Sequence, residues 1–302
     1  MISKKTVLIL GAGASQEYGY PLAEALKKEV LDKLKDEGVR RMMRDTHGFS
    51  DFLVDNFHSA LQLSGFKYIE EFLSIRPEFQ EIGKLLIAQV ILEHEHIPSL
   101  FKDGLWYSYL FEAINESFLE IKDNKLSVIT FNFDQSLETF LFNAVKNAYS
   151  KSEQDVLTEL AHIPVLHVNG KVNDKLWQGV VSDLPTSSKI TPELIKNAAS
   201  GIKIVTDKDF SSGSLKRNID SILDGSEVIV FLGFGFDDVN MKKLNISRLK
   251  GKTIIGSTYG IKPGEIRSII RNSGDKIVLG KTKLVQALDV KGYLKESGAL
   301  GF

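Results

Sequence analysis

Short apolar runs recur along the chain, and each gives way to small or polar residues. They are Val7-Leu-Ile-Leu10 before Gly11, Leu126-Ser-Val-Ile-Thr-Phe131 before Asn132, Ile163-Pro-Val-Leu-His-Val168 before Asn169, Val228-Ile-Val-Phe-Leu232 before Gly233, and Thr253-Ile-Ile-Gly-Ser-Thr258, with a last run at Lys276–Leu279. Continuous apolar runs of this length, bounded by turn residues, predict strands buried on both faces of a parallel sheet. The intervening stretches change to a helical period. Leu22, Leu26, Val30 and Leu34 repeat every four residues behind Pro21, which suits a first helical turn, and this helix is expected to pack on the sheet. From about 40 to 124 no strand pattern interrupts the helical one, with segments at Asp51–Val54, Tyr68–Leu73, Phe79–His94 and Leu105–Ile121. Further helices are expected at Ser136–Tyr149, Leu215–Leu223, Gly264–Arg271 and Lys283–Lys295. The pattern weakens between Val172 and Asp209, where Pro185–Lys189 reads as a loop and Thr191-Pro-Glu-Leu-Ile195 as a capped short helix. The predicted class is α/β: a mainly parallel sheet with helices on both faces and an all-helical insertion after the first strand.

No repeat or low-complexity linker divides the 302 residues, so 1–302 is read as one domain, with 40–124 as an insertion or lid subdomain. A formal net charge of −1 points away from direct nucleic-acid binding and from a basic membrane-surface role. The chain has no cysteine, which removes disulfides, zinc ribbons and thiol catalysis and fits a cytoplasmic protein. The first apolar run is too short for a signal-peptide core, and no run approaches a membrane span. Glu93-His-Glu-His96 has the wrong spacing for two metal ligands on one helical face and reads as a solvated helix end, so no metal site is expected.

The chemistry concentrates at the strand ends. Gly11-Ala-Gly-Ala-Ser15 has the form of a turn that lets the backbone approach a diphosphate. A dehydrogenase would place an acidic strand end about twenty residues later; that interval is helical here, with Asp32 and Asp36 on an amphipathic helix. Asn132 and Asp134 end the second strand and converge on the same crevice, where Asp134 could equally cap the helix that follows. His167 and Asn169 project together at the end of the third strand, and a lone strand histidine is more often a hydrogen-bonded core residue than a catalyst. Gly233-Phe-Gly-Phe-Asp-Asp238 repeats the strand–glycine–helix device, with Asp237 or Asp238 as a cap.

Gly11-Ala-Gly-Ala-Ser15 with Gly19 and Pro21, Thr130-Phe-Asn-Phe-Asp134, His167-Val-Asn-Gly170 and Phe231-Leu-Gly-Phe-Gly-Phe-Asp237 together resemble the SIR2-like branch of the sirtuin superfamily, over roughly residues 5 to 260. The resemblance implies a Rossmann-like NAD-binding fold. It assigns the dinucleotide to Gly11, Ala12, Gly13 and Ser15, the nicotinamide ribose to Asn132 and Asp134, further contacts to Asn169 and Gly170, and the adenosine end to Gly233, Ser257 and Thr258. Lacking the four-cysteine zinc ribbon of the deacylases, the chain is more similar to zinc-free bacterial relatives that hydrolyse NAD in defence against phage. The expected activity is therefore NAD hydrolysis to nicotinamide and ADP-ribose, with NAD as substrate, no metal, and Asn132, His167 and Asp134 as catalytic residues. The alternative is a degenerate module that binds NAD or ADP-ribose without cleaving it. The resemblance also implies a homo-oligomer and a separate partner or sensor protein. In the family the catalytic histidine directly precedes glycine. Here that place is Asn169, and His167 lies one pleat upstream, about 6–7 Å away by strand rise.

Overall fold

A computed structural model of the protein describes residues 1–172, 190–204, 210, 213–272, 277–279 and 289–300. Six strands, β1 (Thr6–Leu10), β2 (Leu126–Thr130), β3 (Val165–His167), β4 (Val228–Leu232), β5 (Thr253–Gly256) and β6 (Ile277–Leu279), form one sheet. Their order is β3-β2-β1-β4-β5-β6, and every neighbouring pair is parallel. β1 lies at the centre, with Leu10 in register with Thr130 on one side and with Leu232 on the other. The strand order reverses between β1 and β4, so the crevice at their carboxyl ends is the place where an open α/β sheet takes a ligand. This is the Rossmann-like arrangement.

Because side chains alternate along a strand, each face of the sheet carries its own core. Leu8, Leu10, Val128, Val230 and Leu232 share one hydrophobic cluster with Trp106, Leu110 and Phe140. Val7, Ile9, Ile129, Ile229 and Phe231 meet Ile219, Leu223 and Ile266 on the other face. The first face is covered by the helices that follow β1: α1 (Ala23–Lys33), α2 (Glu37–Asp45), α3 (Asp51–Leu63), α4 (Ile69–Ile75), α5 (Gln80–His94), α6 (Ile97–Leu100) and α7 (Trp106–Ile114), together with α8 (Ser136–Tyr149) beyond β2. α9 (Glu153–Leu160) precedes β3, and α10 (Pro192–Ala199) packs on α5. The second face receives α11 (Ser214–Gly225), α12 (Asp238–Leu244) and α13 (Pro263–Asn272), while α14 (Val290–Ser297) returns to pack on α7.

Several local expectations change. β1 runs into two short 3-10 turns, Ala12–Ala14 and Gln16–Tyr18, and the first α-helix begins only after its N-cap Leu22, so Pro21 lies outside it. Its buried Leu26 and Val30 join the cluster that holds Leu8 and Leu10 of β1, and it packs as well on α3, α4 and α5. Asp36 is not part of it but caps α2, accepting from the Gly38 and Val39 N–H groups. The helix expected over Leu105–Ile121 stops at Ile114 and resumes as a 3-10 turn at Phe118–Asp123. Thr191 caps α10 through Leu194 N–H, as its motif predicts. The expected loop at Pro185–Lys189, and residues 283–288 of the last expected helix, lie outside the described residues.

Candidate functional site

Two glycine turns meet at the carboxyl ends of β1 and β4. The Gly11 N–H donates to Leu232 O at 3.1 Å and the Gly13 N–H to Gly233 O at 2.9 Å. A Cβ on Gly13 would lie 2.9 Å from that same oxygen; one on Gly233, whose φ is +55°, would lie 2.0 Å from Ala14 N. These glycines are therefore required by the close approach of one loop to the other. The Gly13 N–H, expected to face a phosphate, is already engaged. Ser257 Oγ accepts from the Gly233 N–H at 3.1 Å and fixes the same loop. Beyond it the rings of Phe231, Phe234 and Phe236 pack together, holding Phe236 at a φ of 54°. Asp237 then caps α12, its Oδ1 accepting from Asn240 N–H at 2.8 Å.

At the end of β2 the chain turns Asn132 and Asp134 toward the β1 turn. Asn132 Nδ2 donates to Gly11 O and to Ser15 Oγ, both at 3.0 Å. A carbonyl can only accept, so the carboxamide orientation is fixed. Asn132 Oδ1 keeps no partner among the described residues. Asp134 Oδ1 accepts from Ser15 Oγ at 3.2 Å, from Ser136 N–H at 3.1 Å and from Ser136 Oγ. It thus caps α8 while its Oδ2 has no hydrogen bond among the described residues. Burial raises the Asp134 pKa, outweighing the bonds from Ser136 and Ser15, and the nearby Glu138 adds to the rise. The network continues into the helical layer. Ser136 Oγ meets Tyr107 Oη at 2.6 Å, the Tyr107 ring stacks on Tyr18 at 3.8 Å, and Trp106 Nε1 donates to Ala14 O at 2.8 Å.

His167 sits behind this turn. Its Nδ1 lies 3.1 Å from the backbone oxygen of Asn132 and its Nε2 lies 2.7 Å from Glu138 Oε1. Both ring nitrogens are therefore taken up, one by the Asn132 carbonyl and the other by the Glu138 carboxyl. Only 5% of the His167 side chain is exposed. Burial works to raise the Glu138 pKa, but the charge and hydrogen bond of His167, aided by Lys171, hold it below the ordinary carboxylate range.

The crevice opens into a cleft of about 1850 Å³. Of the residues expected at the site, Gly11, Ala12, Gly13, Asn132, Asp134, Asn169, Gly233 and Ser257 line it. Four do not. Ser15 is buried beneath the turn and ties Asn132 to Asp134, so it braces the site instead of facing a phosphate. His167 is committed to Asn132 and Glu138, with no nitrogen left to act as a base. Gly170 pairs with Ile202 in a backbone bridge, and Thr258 is wholly enclosed. Asn169 reaches the cleft with its Nδ2 donating to Phe131 O at 3.1 Å. No cluster of metal-ligating residues occurs among the described residues, and His94 and His96 bond separately to Glu29 and Ser99.

Sequence reasoning missed two acids. Glu70, at the start of α4, lines the cleft with Oε2 buried and without a hydrogen-bond partner among the described residues, and burial is the main reason its pKa is pushed up to about 7. Glu95, inside the stretch expected to be solvated, turns inward beyond α5; burial, then the charge of Asp134, push its pKa up to about 8. The visible signal was the apolar run Leu85–Leu92, which shows that the helix ending there is enclosed on all sides.

Residues 126–253 match the SIR2-like domain family, a span that covers less than half of the chain. It contains the ends of β2, β3 and β4, with Asn132, Asp134, His167, Asn169 and Gly233, and bears out the family resemblance there. Comparison with curated proteins finds no match. No helix among the described residues is long and apolar enough to cross a membrane.

Proposed function

We propose that the protein hydrolyses NAD at the bond between nicotinamide and ribose, releasing nicotinamide and ADP-ribose. The observation that carries this reading is the joint placement of Asn132 and Asp134. Both are locked by Ser15 at the topological switch point, and each keeps one oxygen without a hydrogen bond among the described residues. Those oxygens suit ribose hydroxyls and an attacking water. The nicotinamide ring of NAD is cationic, and the carboxyl of Asp134 at the inner end of the cleft favours it there. Bond cleavage spreads positive charge over the sugar, as in glycoside hydrolysis, so a fixed carboxylate and an enclosed site supply much of the stabilisation. Gly11, Gly13, Gly233 and Ser257 shape the wall along which the remainder of the dinucleotide lies. Depletion of NAD in bacterial defence against phage is the cellular role that the family resemblance favours, with assembly into oligomers as its expected control.

One observation favours a second reading, a module that binds NAD or ADP-ribose without cleaving it: the family's histidine position is Asn169, and His167 is fully engaged elsewhere. Incubation of the purified protein with NAD separates the two. The hydrolase reading expects nicotinamide and ADP-ribose in equal amounts, and a loss of about 100-fold in Asn132→Ala, the usual scale for one positioned polar group. Equal turnover in wild type and Asn132→Ala removes Asn132 from the mechanism. Binding of ADP-ribose with no turnover establishes the module.

A further inference from the structure

The cleft continues past the glycine turns to a wall made by two elements. Tyr68, Glu70 and Glu71, at the start of α4, line it together with Gly235, Phe236 and Asp237 beyond β4. A Cβ on Gly235 would lie 3.7 Å from Tyr68 Oη, so the helical layer and the β4 turn come within contact distance there. The polar groups on either side of Glu70 are taken. Asp237 accepts from Asn240 with both carboxyl oxygens, each at 2.8 Å, and Lys67 is paired with Glu24 at 2.7 Å. Glu70 differs from them: its Oε2 is buried and has no hydrogen-bond partner among the described residues. Burying a carboxyl oxygen without a donor is costly, and a ligand that brings the donor recovers that cost.

We propose that Glu70 sets the specificity for the adenosine half of the dinucleotide: its free carboxyl oxygen accepts from a hydroxyl of the adenosine ribose, and its charge excludes a 2′-phosphate, so that the protein takes NAD and not NADP. The inference rests on the NAD reading of the cleft and adds which dinucleotide that cleft accepts. The order of groups along the ligand supports it. With the nicotinamide ribose at Asn132 and Asp134 and the diphosphate at the glycine turns, the next group is the adenosine ribose, and Gly235 lies only two residues beyond Gly233. The phosphates repel a carboxylate and the base lies one group farther out, which leaves the ribose hydroxyls as donors. An acidic side chain on this ribose is how dinucleotide folds select the unphosphorylated cofactor, usually from a strand end about twenty residues past the glycine turn. That interval is helical here, and Glu70 supplies the group from the inserted layer instead. Lys243 is the cation that acts on Glu70, and Asp237 and Glu71 oppose it, so a further phosphate meets an acidic wall.

Calorimetric titration of the full chain with ADP-ribose and with ADP-ribose 2′-phosphate tests this, at about pH 8.5, above the value of about 7 to which burial pushes the Glu70 pKa. The wild type is expected to bind ADP-ribose about tenfold or more tightly than its 2′-phosphate. Glu70→Gln keeps the shape and removes the charge, so it should narrow that ratio about tenfold, through tighter binding of the 2′-phosphate. Glu70→Ala should also weaken ADP-ribose itself about tenfold, the scale of one hydrogen bond to a charged group. Because it removes a buried carboxyl without a donor, Glu70→Gln should melt no lower than the wild type in the absence of ligand. A narrowed ratio that comes with a markedly lower melting temperature assigns the effect to structure and overturns the role. So does a ratio unchanged in Glu70→Gln, while binding of ADP-ribose keeps the NAD reading. If Glu70→Gln instead loses only the preference for ADP-ribose over its hypoxanthine counterpart, Glu70 belongs to the base and the inference also falls. Binding of neither ligand by the wild type removes the NAD reading, and this inference with it.

Discussion

His167 shows how much one residue's meaning depends on what its two nitrogens touch. In the sequence it is the only histidine at a strand end facing the crevice, and that makes it the natural base. In the fold it donates to Asn132 O and to Glu138, and becomes the strut that sets the backbone of the Asn132 turn. The pair predicts a specific pH behaviour. The Glu138 pKa lies below its ordinary value of 4.5 in the folded protein, so the unfolded chain binds more protons on the acid side. The stability that this carboxylate contributes is complete above that ordinary value and is lost as pH falls through the lower folded one. Replacing His167 with Gln breaks a buried pair and should cost about 3–5 kcal/mol at neutral pH. Because Glu138 is then no longer held down, the gap from wild type should narrow on acidification below the ordinary carboxylate range. Urea denaturation of both proteins between neutral and acidic pH measures that gap, and a constant difference would show that the charge pair is not its source.

Among the elements, strands were legible because burial on both faces writes them as continuous apolar runs: five lie within the predicted runs, and β1 begins one residue earlier, at Thr6. The ends of α7 were less legible. Its apolar pattern continues through Phe118 and Ile121, but the chain leaves helical geometry at Asn115, and periodicity does not register a break of that length. The strand-end polar residues were legible as a set, yet their division of labour was not. Ser15 and Asn132 look alike in sequence as ligand contacts, and only packing shows that one braces the other. Nor does local pattern reveal that α7 takes part. Trp106 and Tyr107 are buried aromatics of α7 whose polar atoms reach Ala14 O and Ser136 Oγ. Tyr107→Phe keeps the ring that stacks on Tyr18 and deletes the hydroxyl that bonds Ser136, so a stability loss of about 0.5–1.5 kcal/mol is expected. Since Ser136 Oγ also holds Asp134, kcat for NAD cleavage should fall severalfold with KM nearly unchanged. A rise in KM alone would instead make Tyr107 part of substrate binding.

At the level of the whole molecule, the helical stretch 40–124 is more than a cover at one end of the sheet. Leu8 and Leu10 of β1, Val128 of β2 and Val230 and Leu232 of β4 belong to the same hydrophobic cluster as Val54, Phe57, Phe72, Leu86 and Trp106. A lid that closes and opens as a body would expose that sheet face to water, at about 25 cal/mol for each Å² of apolar surface. Movement that regulates the site is therefore expected within the layer, at α4 beside the cleft or at the turn carrying Glu95, with the sheet contacts kept. The consequence for folding is that helices and sheet should unfold together. Calorimetry of the full chain is expected to show one transition with equal calorimetric and van't Hoff enthalpies. A chain in which residues 40–118 are replaced by a short Gly/Ser linker should fail to give a soluble, cooperatively folded sheet, because one face of β1, β2 and β4 loses its packing partners. Two separated transitions in the full chain, together with a shortened chain that still folds and binds ADP-ribose, would show instead that the helical stretch is an independent lid.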